Sequence, residues 1–293
     1  GIREEFGMEL CNEIVIRGLL ERHGFRFSRS MGQNFLIDAS IPAAIAEASG
    51  ADEGCGVLEI GPGIGPLTQE LAKRAGKVVS IELDRALLPV LAETVGDLPN
   101  VEIVPGDALR LDLEGLIAEK FQGLTPMVCA NLPYNITTPV LTKLVGIPSL
   151  TALTVLIQKE AAQRFTAPQG SPEIGAFPLQ LQYRMETELL FDVEPECFLP
   201  RPKVTSTVLR CVRRERPAVA VRDEALFQKV LKGAFLLRRK TLSNSLVAAL
   251  PQFSKEEVQA AIAECGLPAT VRGEALGLPD FAALTEALAK ARG

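Results

Sequence analysis

The sequence predicts an α/β fold: a doubly wound parallel sheet with an antiparallel hairpin at one edge, followed by a small α-helical domain. Three observations predict it. Short apolar runs at residues 56–60, 77–82, 101–104, 127–130 and 152–158 alternate with helical stretches, the rhythm of strands joined by crossover helices. Two later strand-like segments, 187–193 and 205–212, flank the loop Phe198-Leu199-Pro200-Arg201-Pro202, which is too short for a crossover helix and so makes them antiparallel neighbours. After the charged, Pro-ended stretch Arg213-Arg214-Glu215-Arg216-Pro217 the pattern is wholly helical.

In chain order, residues 1–30 are expected to form an N-terminal helical extension, because 8–24 alternate apolar and charged side chains like a surface helix. Residues 31–216 carry the sheet, with helices at 67–74 and 87–95 between its strands. Residues 217–293 carry helices at 224–237, 241–250, 255–265 and 280–291, punctuated by Pro251, Gly266, Pro268, Gly277 and Pro279. Neither an internal repeat nor a low-complexity segment interrupts this order.

A chain of 293 residues suits two domains, and 47% hydrophobic residues can fill both cores. The net charge of −5 does not advertise a nucleic-acid binder, yet a local basic face inside an acidic whole suffices for phosphate contacts. Six cysteines lie far apart without a CxxC pair, and His23 is the sole histidine, so no metal site is expected. Dispersed cysteines read as buried thiols of a reducing cytoplasm. No signal peptide is expected, and no apolar run approaches the ~18 residues of a membrane span.

The run Glu59-Ile60-Gly61-Pro62-Gly63-Ile64-Gly65 ends the first strand and opens a helix, where glycines let the backbone turn tightly and approach a ligand. Glu82 ends the next strand and can accept from a ribose diol. A tight loop without ligand has the same wording, and a nicotinamide cofactor would suit these residues as well. Three features favour S-adenosylmethionine: Glu59, which would repel a pyrophosphate but suits a cationic amino-acid tail; no basic residue around Pro66-Leu67-Thr68; and Asp107, placed to accept from an adenine amine. Each carboxylate alone is more often a solvated loop charge or a helix cap. Glu82, Asp107 and Asn131 nevertheless end consecutive strands, where open α/β sheets bind ligands.

Asn131-Leu132-Pro133-Tyr134 follows the apolar run at 127–130. The amine of adenine is a poor nucleophile because its lone pair is delocalised into the ring. Two acceptors, the Asn131 side-chain oxygen and the backbone carbonyl on the Pro133 side, can hold its hydrogens while Tyr134 stacks on the base, a contact worth roughly 1–3 kcal/mol. The alternative is an ordinary strand-to-turn junction. With the cofactor residues beside it, the tetrapeptide points to methyl transfer.

Assembled, these residues resemble the ribosomal RNA adenine N6,N6-dimethyltransferases, S-adenosylmethionine enzymes with a Rossmann-like methyltransferase sheet and a small helical domain. The resemblance runs from about residue 19 to 290, through Met31-Gly32-Gln33-Asn34-Phe35-Leu36-Ile37-Asp38, the 59–65 loop, Asn131-Leu132-Pro133-Tyr134, Phe198-Leu199-Pro200-Arg201-Pro202-Lys203-Val204, and Arg238-Arg239-Lys240-Thr241-Leu242-Ser243-Asn244-Ser245-Leu246. It implies that Asn34 and Leu36 touch the cofactor with Gly61, Gly63, Glu82, Asp107 and Asn131, and that Phe198 closes the base pocket opposite Tyr134. It also implies two adjacent adenosines near the 3′ end of small-subunit ribosomal RNA as substrate, within an assembling subunit, and a monomeric enzyme. One departure is Ala176-Phe177-Pro178-Leu179, where the family has a small-Leu-Ser-Val run, which leaves the local helix start open. Residues 1–18 have no counterpart in the family pattern.

Candidate RNA contacts are Arg201 and Lys203, which adjoin Phe198 and are favoured as the RNA entrance, and Arg238, Arg239 and Lys240, which alternatively bridge the domains through acidic partners. Arg26 with Arg29, and Arg213, Arg214 and Arg216, are further candidates. The rival readings are a large-subunit adenine methyltransferase of the macrolide-resistance type, a non-catalytic nucleic-acid-binding descendant of the fold, and a dehydrogenase.

Overall fold

The computed structural model describes residues 9–26 and 32–292. Arg29, Met31 and the start of the expected extension lie outside the described residues. Asn12 caps α1 (Glu13–Arg22) by accepting from the amides of Ile14 and Val15. Then come β1 (Phe35–Leu36), α2 (Ser40–Ala48), β2 (Cys55–Ile60), α3 (Pro66–Ala72), β3 (Lys77–Glu82), α4 (Leu88–Thr94), β4 (Val101–Pro105), α5 (Leu113–Lys120), β5 (Thr125–Asn131), α6 (Thr137–Val145) and β6 (Ala152–Gln158). The chain continues through α7 (Lys159–Phe165), α8 (Ala176–Arg184), β7 (Met185–Val193), β8 (Phe198–Leu199) and β9 (Ser206–Arg213), and ends in α9 (Glu224–Ala234), α10 (Leu242–Ala249), α11 (Lys255–Glu264) and α12 (Leu278–Arg292).

Seven strands form one sheet in the order β4-β3-β2-β5-β6-β9-β7. The first five run parallel, and β9 returns antiparallel to β6 from Ala152↔Val212 to Gln158↔Ser206, which leaves β7 at the edge as the proline loop predicts. Every residue of β2 is buried, as expected for a central strand covered on both faces. Strand order reverses between β2 and β5, and the ligand crevice of such sheets opens at the carboxyl ends there. A second, two-stranded sheet pairs Phe35 with Leu199 and Leu36 with Phe198, tying the segment after residue 32 to the proline loop.

The N-terminal helix does more than lie on the surface. Ile16, Leu19 and Leu20 bury against Phe35, Ile64, Leu87 and Val90, so α1 packs behind both β1 and the Gly-rich turn. His23 and Arg22 fasten it further through Glu93, with His23 Nε2 2.6 Å and Arg22 2.8 Å from its carboxylate.

The chain divides into two compact units, 1–162 with 187–213, and 163–186 with 214–293. The expected boundary at 216/217 is therefore corrected: residues 163–186 join the helical unit. The cause is visible in its core, where Ile174, Leu179 and Tyr183 bury with Phe227 and Val230, and the Tyr183 ring lies 4.8 Å from that of Phe227. Helix α8 starts at Ala176 with Pro178 in its first turn, where a missing N–H costs nothing.

Three of the basic candidates are structural. The Arg213 guanidinium donates to the carbonyls of Val145, Ile147 and Leu150 at 2.7–3.0 Å, closing the end of α6. Arg214 donates to the Gln182 carbonyl and pairs with Glu186. Arg238 donates to the Ile174 carbonyl at 3.1 Å, within the helical unit, and pairs with no carboxylate among the described residues.

Candidate active site

A cavity open to solvent lies at the carboxyl ends of β2, β3, β4 and β5. Of the residues expected to bind cofactor or act on the base, Asn34, Leu36, Glu59, Gly61, Gly63, Glu82 and Asp107 line it, as do Asn131, Leu132, Pro133 and Tyr134. Phe198 does not. It is 2% exposed, packed with Leu36 and Val208 in the core, because its pairing with Leu36 turns the ring inward.

The Gly-rich turn is shaped by what stands against it. Gly61 has φ of 71°, a left-handed conformation that strains any residue with a side chain, and its Cα faces the Pro133 ring, which a Cβ would meet at 3.4 Å. Gly63 donates its amide to Glu82 Oε1 at 3.3 Å, and Asp84 donates its own to Glu82 Oε2 at 2.8 Å. The Glu82 carboxylate is thus held in place at the cavity wall. Glu59, 1% exposed, accepts from Thr68 Oγ1 at 2.5 Å and from Ser80 Oγ at 2.7 Å, both on Oε1. Asp107 Oδ1 accepts from the Leu109 amide at 2.9 Å.

Burial pushes the Glu59 carboxyl up to about 7 against its two hydroxyl donors, and pushes Glu82 up to about 7 as well, with the negative charge of Asp84 adding to it. Both groups bind a proton more tightly folded than unfolded. Their contribution to stability is therefore full below the ordinary value of 4.5 and is lost as pH rises toward 7, by roughly 3 kcal/mol per group at most. The ligand-free protein is expected to melt at lower temperature at pH 8 than at pH 5, and Glu59→Gln is expected to flatten that slope in thermal unfolding followed across pH. An unchanged slope in Glu59→Gln would contradict the assignment.

The strap from Gly32 to Ile37 crosses the cavity and is fastened at several points. Gln33 Nε2 donates to Asp84 Oδ2 at 2.7 Å, Asn34 Nδ2 to the Pro200 carbonyl at 2.7 Å, and Ile37 its amide to the Cys197 carbonyl at 2.8 Å. Asn131 Nδ2 donates to the Asn34 carbonyl at 3.4 Å. That bond orients the amide and leaves Oδ1 as the acceptor. The Pro133 carbonyl already receives the Ile136 amide and Thr137 Oγ1, both at 3.2 Å. The Leu132 carbonyl, on the amino side of Pro133, accepts no bond among the described residues. Beside Asn131 Oδ1, the backbone acceptor left unengaged in this turn is therefore Leu132 O.

Tyr134, half-buried, has its hydroxyl 2.5 Å from Ser206 Oγ, which orients the ring. Sequence reasoning missed Ser206, Gln33 and the hydroxyls of Thr68 and Ser80. All are ordinary polar residues whose role depends on partners distant in sequence, and no spacing signals them. Arg201 and Lys203 are exposed, Arg201 pairing with Glu196 and Lys203 with no carboxylate among the described residues. Arg239 and Lys240 are also exposed and, with Arg238, belong to the helical unit. No cluster of three metal-ligating side chains occurs among the described residues, and none of their helices is long and apolar enough to cross a membrane.

Comparison with known proteins gives concordant results. The family described as ribosomal RNA adenine dimethylase matches residues 24–285. The ribosomal RNA small subunit methyltransferase A of Streptococcus gordonii is 45% identical over 286 residues, 96% of this chain and 98% of its own length. That of Geobacillus sp. (strain WCH70) is 42% identical over 277 residues, 93% and 95% of the two chains. Among solved structures, the 23S rRNA methyltransferase ErmE superposes with a TM-score of 0.64 at 26% identity, covering 87% of this chain and 99% of its own. A dimethyladenosine transferase from Plasmodium falciparum reaches 0.69 at 23% identity over 85% and 95% of the chains, a likeness of fold.

Proposed function

This chain belongs to the ribosomal RNA adenine dimethylase family, and we propose from that premise that it dimethylates the N6 amines of two adjacent adenosines near the 3′ end of small-subunit ribosomal RNA, with S-adenosylmethionine as donor. The observation that carries the chemistry is the pair of acceptors at the cavity mouth: Asn131 Oδ1, oriented by the Asn34 carbonyl, and the unengaged carbonyl of Leu132.

The acceptor set of the cavity fits the donor. Glu82 suits its ribose diol, Asp107 its adenine amine and Glu59 Oε2 its ammonium, while Gly61 and Gly63 leave room for the chain between them. When bound, S-adenosylmethionine supplies an electrophilic methyl on a sulfonium. The residues of this chain do the rest. Asn131 and Leu132 accept the two amine hydrogens and draw the nitrogen toward a tetrahedral geometry, strengthening as positive charge develops on it. Tyr134 stacks on the base, which must leave its own stack to reach the ring. No side chain is needed as base, because the methylated ammonium loses its proton to water, and His23 is engaged with Glu93 and does not line the cavity.

The full-length relatives at 42–45% identity favour the small subunit over the large-subunit substrate named for ErmE, which is 26% identical. The proposal includes a monomeric enzyme working in the cytoplasm on an assembling subunit. Arg201 and Lys203 at the proline loop, and Arg239 and Lys240 in the helical unit, provide its phosphate contacts. Lys203→Ala is expected to flatten the dependence of log K on log salt by about one unit, the signature of a lost phosphate contact. An unchanged slope would remove Lys203 from the interface. The substrate is tested by offering labelled S-adenosylmethionine with unmethylated small and, separately, large ribosomal subunits. Label at adjacent adenosines near the small-subunit RNA's 3′ end is expected, and label confined to the large subunit would overturn the proposal.

A further inference from the structure

We propose that Lys143 is a positioning residue for the cofactor's adenine: it brackets the loop that carries Asp107 and so decides which carboxylate oxygen meets the adenine amine. The proposal rests on the reading of Asp107 as the acceptor of that amine. Lys143 lies on α6, the helix that starts directly after the Asn131-Leu132-Pro133-Tyr134 turn, and its ammonium donates to the carbonyls of Ala108 and Leu111 at 2.7 and 2.6 Å. It forms no ion pair with any described carboxylate. A half-buried ammonium held on two carbonyls of a distant loop, with no carboxylate beside it, acts as a bracket.

The bracket reaches Asp107 through a single peptide group. The carbonyl of Ala108 and the amide of Leu109 belong to the same peptide unit; Lys143 holds its oxygen, and its N–H donates to Asp107 Oδ1 at 2.9 Å. A cation on the oxygen polarises the amide and strengthens its N–H as a donor. Oδ1 is thereby engaged and Oδ2 is left for the ligand; its one ion-pair partner among the described residues is Arg110, 3.7 Å away on a side chain 89% exposed. The second bond, to Leu111 O, fixes the far end of the turn, whose amide returns to the Asp107 carbonyl at 2.9 Å. One helix thus grips the adenine-binding turn at one end and begins at the base-binding tetrapeptide at the other.

The test is calorimetric binding of S-adenosylhomocysteine and of S-inosylhomocysteine, which lacks the adenine amine, to the full chain. Lys143→Met is expected to weaken S-adenosylhomocysteine about tenfold, the loss of roughly one charge-assisted bond, and to leave S-inosylhomocysteine within about twofold. Lys143→Arg should restore most of the preference, and thermal unfolding of each variant reports whether it is folded. Equal losses for both ligands in a folded Lys143→Met, or no loss for either, would overturn the proposal. Asp107→Asn separates the two layers. If it abolishes the preference for adenine and Lys143→Met does not, the bracket alone fails. If Asp107→Asn keeps the preference, the adenine reading fails and the bracket falls with it.

Discussion

Asn131→Ala is expected to lower methyl transfer by at least about 100-fold, the size of effect seen when one preorganised polar partner of a developing charge is removed. The substitution deletes Oδ1, the side-chain acceptor proposed for the amine, and leaves Leu132 O as the sole one. It also releases the Asn34 carbonyl, but the strap keeps its bonds to Asp84 and Pro200 and its pairing with Leu199 and Phe198. Binding of S-adenosylhomocysteine should therefore change by no more than a few-fold, and the melting temperature little, because the side chain is only partly buried. Turnover near the wild-type rate would remove Asn131 from the chemistry. A loss of ligand binding as large as the loss of turnover would make it a cofactor residue instead.

Glu82→Ala is expected to have the opposite signature. Its carboxylate is 6% exposed and already held by the amides of Gly63 and Asp84, so a ribose diol meets a fixed acceptor at no cost in side-chain entropy. Two hydrogen bonds to a charged group are worth roughly 3 kcal/mol or more together, and affinity for S-adenosylhomocysteine should fall on the order of 100-fold. Glu82→Gln, which keeps one acceptor, should lie between. Titration calorimetry checks both, and an affinity unchanged in Glu82→Ala would place the ribose elsewhere. Deleting the carboxyl also removes one of the two groups responsible for the fall in stability toward pH 7.

The strands were legible because each is a short apolar run, and the acidic or amide residue at its end is where the sheet exposes function. Glu82, Asp107 and Asn131 could be aligned at one edge of the sheet from that alone. The second unit was legible as helices but not in extent. Helix α8 lies in sequence between two sheet strands, and nothing in its pattern says that Leu179 and Tyr183 would choose the core around Phe227. Phe198 was misplaced for a related reason. An aromatic beside a proline loop suits a base pocket and a core equally, and only the short ladder with Leu36 turns it inward. Arg213 shows the limit for charges: three cations in four residues look like a phosphate site, yet its guanidinium closes the end of α6. The bonds that position the site, from Asn34 to Asn131, Ser206 to Tyr134 and Lys143 to Ala108, join distant segments and leave no trace in local spacing.

The central claim is that this cavity methylates the exocyclic amine of adenine. The most direct measurement is the identity of the modified nucleoside, obtained by digesting small-subunit RNA after reaction with S-adenosylmethionine and resolving the products by mass spectrometry. N6,N6-dimethyladenosine, formed by the wild-type protein and absent with Asn131→Ala, is the predicted result. A methyl group on a ribose oxygen or on a ring carbon of another base would contradict it.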